Sequence, residues 1–182
     1  MTIYEFDKKK PNIGKGTFIF NSADIIGDVI IGENCYIGPG ARIRGDYGSI
    51  KIGNNTAVEE NVVIHARPKE KTSIGNNVTI GHAAIIHNAI IDDWAIIGMG
   101  SIVSDWAEIG KWAVVAEGAL VKNKQKISDK AIAVGVPAKV ISEVTKEYIK
   151  QWAKYKKIYT DLARKCFPSS LKEVEFSEIR EK

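Results

Sequence analysis

Cysteine is scarce in this 182-residue chain: Cys35 and Cys166 are the two, far apart in sequence. Two distant thiols exclude a disulfide framework. No apolar run approaches a membrane span, and the opening MTIYEFDKKK has no apolar signal core. We therefore expect a cytoplasmic protein with no membrane partner. Charge of one sign is also lacking. The net charge is +4; residues 1–142 carry 16 basic and 15 acidic side chains, and residues 143–182 carry 10 and 7. So weak a field reads as a solvated surface and predicts no nucleic-acid partner. Histidine is scarce too, and all three, His65, His82 and His87, fall in one short window.

What is present is a beat of six. Aliphatic residues recur at Ile13, Ile19, Ile25, Ile31, Ile37 and Ile43, then after a slip at Ile52, Val58 and Ile64. They resume at Ile74, Ile80 and Ile86, and again at Ile91, Ile97, Val103, Ile109, Val115 and Val121. The fourth residue after each is usually small, as at Ala23, Cys35, Ala41, Ala84, Ala95, Ala107 and Ala113. Cys35 therefore reads as a buried thiol. Asn34, Asn55 and Asn77 share one offset, where a turn needs a residue tolerant of left-handed backbone angles. No amphipathic helix has a period of six, and turn signals return too often for plain antiparallel strands. Six is the period of a parallel β-helix whose three faces make an eighteen-residue coil. This pattern resembles the left-handed hexapeptide β-helix superfamily, and the handedness is implied by that resemblance. The expected class is all-β, with residues 1–142 as the β-helix domain.

The beat dissolves after Val121, and Gly135-Val136-Pro137-Ala138 reads as a closing turn. From about Thr145 to Cys166 the period changes. Val144, Tyr148, Trp152, Tyr155, Tyr159, Leu162 and Cys166 form one apolar stripe, which predicts an α-helix ended by Pro168. Residues 143–182 are thus a C-terminal helix and tail. Trp94 and Trp112 stand at matching offsets and should stack on one outer face. We expect this face or a neighbouring subunit to take the helix.

The same ruler places the histidines. Ile64 to Ile86 is one coil with a four-residue insertion, so His65 and His87 share an outward column. Coils stack about 4.8 Å apart, and two imidazoles so placed can converge on one ion with Zn–N bonds of about 2.0–2.1 Å. His82 lies on the preceding face, around a corner. A three-fold trimer would complete the set, with His65 and His87 from one chain and His82 from the next. The plain alternative, three surface histidines, is left open by spacing alone. Arg44 falls one coil before His65 in the same column, with Asp46 just beyond it, and Glu60 shares the offset of His82, with Glu59 beside it. A subunit salt-bridge network is the simpler reading of Arg44 and Asp46.

Three segments carry a more specific resemblance: Arg44-Gly45-Asp46, Val58-Glu59-Glu60-Asn61-Val62-Val63-Ile64-His65 and Ile80-Gly81-His82-Ala83-Ala84-Ile85-Ile86-His87. They resemble the gamma-class carbonic anhydrase family. Pro137-Ala138-Lys139-Val140-Ile141 and the tail through Tyr159, Leu162 and Arg164-Lys165-Cys166 resemble its phenylacetate-degradation and carnitine-operon branch. The resemblance implies a homotrimer with zinc, or iron or cobalt, between subunits, His65, His82 and His87 as ligands, and Arg44 with Asp46 as an interface pair. It implies that water activated by the metal attacks carbon dioxide to give bicarbonate. There are departures. The family's usual Gln-Asp pair is Glu59-Glu60 here, and one of these is the nearest candidate to accept a proton. Tyr47 stands where the best-known members carry a glutamate, and the loop Ala66-Arg67-Pro68-Lys69-Glu70-Lys71 is short and mostly basic. The alternatives are an acyl-coenzyme A thioesterase or hexapeptide acyltransferase, and a structural trimer with a vestigial site.

Overall fold

The computed structural model describes residues 2–174, so the last eight residues of the expected tail lie outside the described residues. The chain is a parallel β-solenoid of about seven turns, a left-handed β-helix, followed by one C-terminal helix. Each hexapeptide contributes a short strand and a corner. Along one face Ile37, Val58, Ile80, Ile97, Val115 and Ala133 pair in parallel, each on the next. The other two faces are joined by long strands, Asp24–Ile31 and Arg42–Ile52. The second turns a corner and pairs with both Val63–His65 and Lys71–Ile74.

β-Branched side chains suit a pleated, buried surface, and the inward ladder from Ile19 to Val121 is buried at every position. The small inward residues from Ala23 to Ala119, Cys35 among them, are at most 1% exposed. The beat does not dissolve at Val121. Ile127 and Ala133 continue it, both buried, and the solenoid closes at Ala131–Val134. Lys122, Lys124, Lys126 and Lys130 disguise this last coil. Lys139–Glu143 then returns antiparallel along that strand after the turn at Gly135 to Ala138.

The corners hold left-handed residues. Asn34, Asn55 and Asn77 have φ of 56°, 55° and 56°, and Trp94, Trp112 and Lys130 take the same place in later coils at 65°, 61° and 60°. Such a backbone costs about 1–2 kcal/mol for an ordinary residue. The tryptophans offset it by stacking, with ring centroids 4.7 Å apart and planes 10° from parallel. Gly38 has a different reason: a Cβ there would lie 2.9 Å from the Glu59 and Glu60 backbone. Its bareness lets the coil carrying those carboxylates close up.

The helix spans Lys146–Asp161, and its Thr145 cap accepts the Tyr148 N–H at 3.1 Å. Two features depart from expectation. Tyr155 and Cys166 are exposed, and the buried side chains are Lys156 and Ala163. The face is rotated because Ala163 is small enough to sit among Phe18, Phe20, Tyr36, Tyr159 and Phe167, and because Lys156 donates to polar groups of the sheet. Its Nζ donates to the Val78 carbonyl and, at 2.9 Å, to Thr79 Oγ1. The helix therefore packs on the flat face of its own chain, and Trp94 borders it beside Ala153 and Lys157. Pro168 does not end it. Leu162–Cys166 widens to π geometry, with the Phe167 N–H donating to the Leu162 carbonyl, and Phe167–Ser170 adds a turn in which Pro168 needs no N–H donor. Among the described residues no helix is long and apolar enough to cross a membrane.

Lys156 is 3% exposed, and burial pushes its amine down to about 7, against the pull of Cys35 and Glu59. The unfolded chain keeps that proton up to about pH 10. Between about 7 and 10 the unfolded state binds more protons, so this group makes stability rise with pH. Lys156→Met should remove that part of the rise. Urea unfolding at several pH values tests it, and equal slopes for wild type and variant would refute it.

Candidate metal centre

The coil ladder stacks Arg44 on His65 and His65 on His87. The column thus carries two imidazoles in adjacent layers, with ring centroids 5.3 Å apart. Each ring is tied to a carboxylate. His65 Nε2 lies 2.8 Å from Asp46 Oδ1, and His87 Nδ1 lies 2.6 Å from Asp105 Oδ1. A nitrogen lone pair cannot face a carboxylate at that distance, so each of these nitrogens carries its proton and donates. The nitrogens left over, His65 Nδ1 and His87 Nε2, face each other at 3.3 Å.

Each carboxylate is in turn held by an arginine. Arg44 Nη2 lies 3.5 Å from Asp46 Oδ2, and Arg67 Nη2 donates to Asp105 Oδ2 at 2.7 Å. Burial works against ionisation of Asp46, but His65, the Tyr47 N–H and Arg44 outweigh it and hold its carboxyl below the usual range. Asp105 is held low by Arg67 first, then by His87, against a burial penalty. Tyr47 stands edge-on to His65 with centroids 6.0 Å apart, and its side chain is open to solvent.

His82 sits elsewhere, between carboxylates. Its Nδ1 lies 2.5 Å from Glu60 Oε2 and its Nε2 3.3 Å from Glu59 Oε2. Tyr36 donates to the other Glu60 oxygen at 2.6 Å. Burial raises the Glu60 carboxyl, but the Tyr36 hydroxyl and His82 reverse this and leave it below its usual range. Burial and Glu60 together push the Tyr36 phenol above its own. Glu59 is buried, and Tyr159 from the helix faces it; burial and that carboxylate raise the Tyr159 phenol. Among the described residues no group of three His, Cys, Asp or Glu side chains closes on one point. One chain therefore brings together His65 and His87 with Arg44 and Asp46, and separately His82 with Glu59 and Glu60.

The donor set fits a metal. Two nitrogens bound tetrahedrally at about 2.0–2.1 Å stand about 3.3–3.4 Å apart, and His65 Nδ1 and His87 Nε2 stand 3.3 Å apart. Each imidazole also has the carboxylate behind it that metal-ligating histidines commonly use.

Comparisons with known proteins agree with this architecture. Residues 10–45 match a bacterial transferase hexapeptide profile of six repeats, and residues 28–66 and 71–105 match a hexapeptide repeat of succinyl-transferase. A carbonic anhydrase of Geobacillus kaustophilus is 39% identical over 159 residues, covering 87% of each chain. Our chain belongs to the gamma-class carbonic anhydrase-like hexapeptide-repeat family. A mitochondrial gamma carbonic anhydrase 2 of Arabidopsis thaliana is 34% identical over 90% of the chain, which spans 61% of that relative's length. The carnitine operon protein CaiE of Escherichia coli is 33% identical, over 93% of this chain and 86% of that one. The crystal structure of a Bacillus cereus protein described as a putative acetyltransferase superposes with a TM-score of 0.87 at 37% identity, covering 90% and 95% of the two chains.

The histidine column expected from the sequence is present, and Tyr47, Glu59 and Glu60 stand around the two histidine clusters. Asp105, Tyr36 and Tyr159 escaped sequence reasoning. Asp105 was close to its reach: Val103 pairs with Ile86, so Asp105 stands one residue past the position above His87. Tyr159 was not, because its partner depends on where the helix docks. Glu60→Ala should leave Tyr36 and His82 without their acceptor and cost about 1–3 kcal/mol. Urea denaturation of the purified variant checks this, and an unchanged midpoint would refute it.

Proposed function

We propose that the protein is a metal-dependent carbonic anhydrase-like lyase that hydrates carbon dioxide, built as a homotrimer with a metal between subunits. The observation that carries this reading is the facing pair of nitrogens, His65 Nδ1 and His87 Nε2, each turned inward by a hydrogen bond on its other side. Two ligands are too few for a structural or catalytic zinc site. His82, held by Glu60 and displaced from the pair, supplies the third from a second copy. Zinc suits three imidazoles, and iron or cobalt suits them as well.

A divalent ion held there supplies Lewis acidity, which lets water ionise near neutral pH. The chain's own residues do the rest. Asp46 and Arg44 hold His65, and Glu60 and Tyr36 hold His82. Glu59 faces the same side of His82 as Nε2, with an acceptor oxygen to orient a water or take its proton. Glu60 is one-third exposed at its side chain and passes a proton to solvent. The substrate is a small molecule, and beside His65 Tyr47 presents a phenol and not a carboxylate.

A second reading is hydrolysis or transfer of an acyl thioester. It is favoured by the acetyltransferase description of the Bacillus cereus neighbour. It is also favoured by an apolar cleft of about 450 Å³ lined by Trp152, Tyr155, Ile158, Tyr159 and Leu162, which shares Tyr159 with the Glu59 cluster.

His82→Ala should abolish metal binding while the oligomer survives. Metal quantification alongside light-scattering mass measurement tests both halves, and full metal occupancy in the variant would sink the assignment. Carbon dioxide hydration assayed beside thioester hydrolysis, after chelation and reconstitution with zinc, separates the two reactions.

A further inference from the structure

The basic loop after His65 has no part in the mechanism above, yet Arg67 is among the most fully engaged side chains near the site. Its guanidinium donates to Asp105 Oδ2 at 2.7 Å and lies 5.1 Å from the centroid of the Trp106 ring. Its backbone N–H donates to Asn88 Oδ1 at 3.3 Å. Asn88 is 3% exposed, follows His87 directly, and donates its own N–H to the His65 carbonyl at 3.1 Å. Trp106 donates its backbone N–H to the Asn88 carbonyl at 2.7 Å. Arg67 thus ties three successive coils at one corner: its own, that of His87, and that of Asp105.

Asp105 stands at the centre of this corner. Its side chain is 10% exposed, with one oxygen on Arg67 and the other 2.6 Å from His87 Nδ1. We propose that Asp105, clamped by Arg67 and Trp106, is a positioning residue that fixes His87 in the tautomer whose Nε2 lone pair faces His65. An isolated neutral imidazole in water favours the opposite tautomer, with the proton on Nε2. That form would direct an N–H into the space between the two rings and would leave Nδ1 facing a carboxylate. Asp105 opposes both. A lone carboxylate on an exposed corner would swing away, but the bidentate use of its oxygens leaves it one orientation, and the cation over the indole holds the guanidinium in place.

The consequence for metal affinity rests on the reading in the preceding section; the consequence for the tautomer does not. The test uses the full chain with ¹⁵N-labelled histidine, in wild type, Asp105→Ala, Asp105→Asn and Arg67→Ala, first without metal and then titrated with zinc(II). In the wild type the His87 ring nitrogens should report the Nδ1–H form. In Asp105→Ala they should shift to the Nε2–H form, and zinc affinity should fall between about 10- and 100-fold. Asp105→Asn, whose amide oxygen still accepts, should keep part of the tautomer bias and lose less affinity; it also serves if the alanine variant does not fold. Arg67→Ala should fall between the two. A variant that loses thermal stability but keeps the Nδ1–H signature and zinc affinity within about threefold would overturn the inference, since a merely structural Asp105 predicts that result. If the tautomer shifts as expected but the wild type binds no zinc, the positioning role stands and the metal reading falls.

Discussion

The hydrogen-bonded ladder between successive coils is the constraint on which the rest of this structure depends. Parallel strands about 4.8 Å apart put every residue above the one a coil earlier. Inward, this makes a column of Ile and Val that needs no further pattern to be a core. Outward, it makes columns of whatever the sequence places there. Arg44, His65 and His87 are neighbours for that reason and for no other. The insertions that break the beat are absorbed at corners, where Gly45 and Lys69 sit, and the register on either side survives them.

Stacking polar groups this tightly needs alternation of charge. Each imidazole has a carboxylate behind it, and each carboxylate has a further donor: Arg44 for Asp46, Arg67 for Asp105, Tyr36 for Glu60. The arrangement satisfies every group but leaves two imidazole nitrogens turned toward each other. A protein that needed only a stable surface would not require that juxtaposition. It depends on the carboxylates behind the two rings, Asp46 and Asp105, and not on Tyr47 or Glu59.

The C-terminal helix couples to the same region from the other side. Lys156 inserts its amine against Val78 and Thr79, and Tyr159 meets Glu59. Of the stripe that sequence periodicity assigned to the interior, Tyr155 and Cys166 are left on the outside. Helical periodicity identifies a stripe, but it does not say which of two plausible faces a sheet will accept. Here a small alanine and a long lysine fitted the flat face better than a row of rings. The missed last coil has a similar cause: Ile127 and Ala133 keep the beat, while four lysines around them look like surface.

The coil, its inward ladder, the shared column of His65 and His87, and the separation of His82 were all legible in the residues, because a period of six with known slips is a ruler that converts sequence distance into position. The same ruler comes within one residue of Asp105, since Val103 pairs with Ile86 and Ser104 follows it. What it does not carry is orientation. That Asp105 turns one oxygen to His87 and one to Arg67, that Arg67 lies over Trp106, that Lys156 and not Tyr155 is buried, and that Tyr159 meets Glu59 all depend on side-chain torsions and on how a helix seats against a sheet. Those choices are made by packing and by the pairing of buried charge, which act between segments far apart in the chain and leave no period behind.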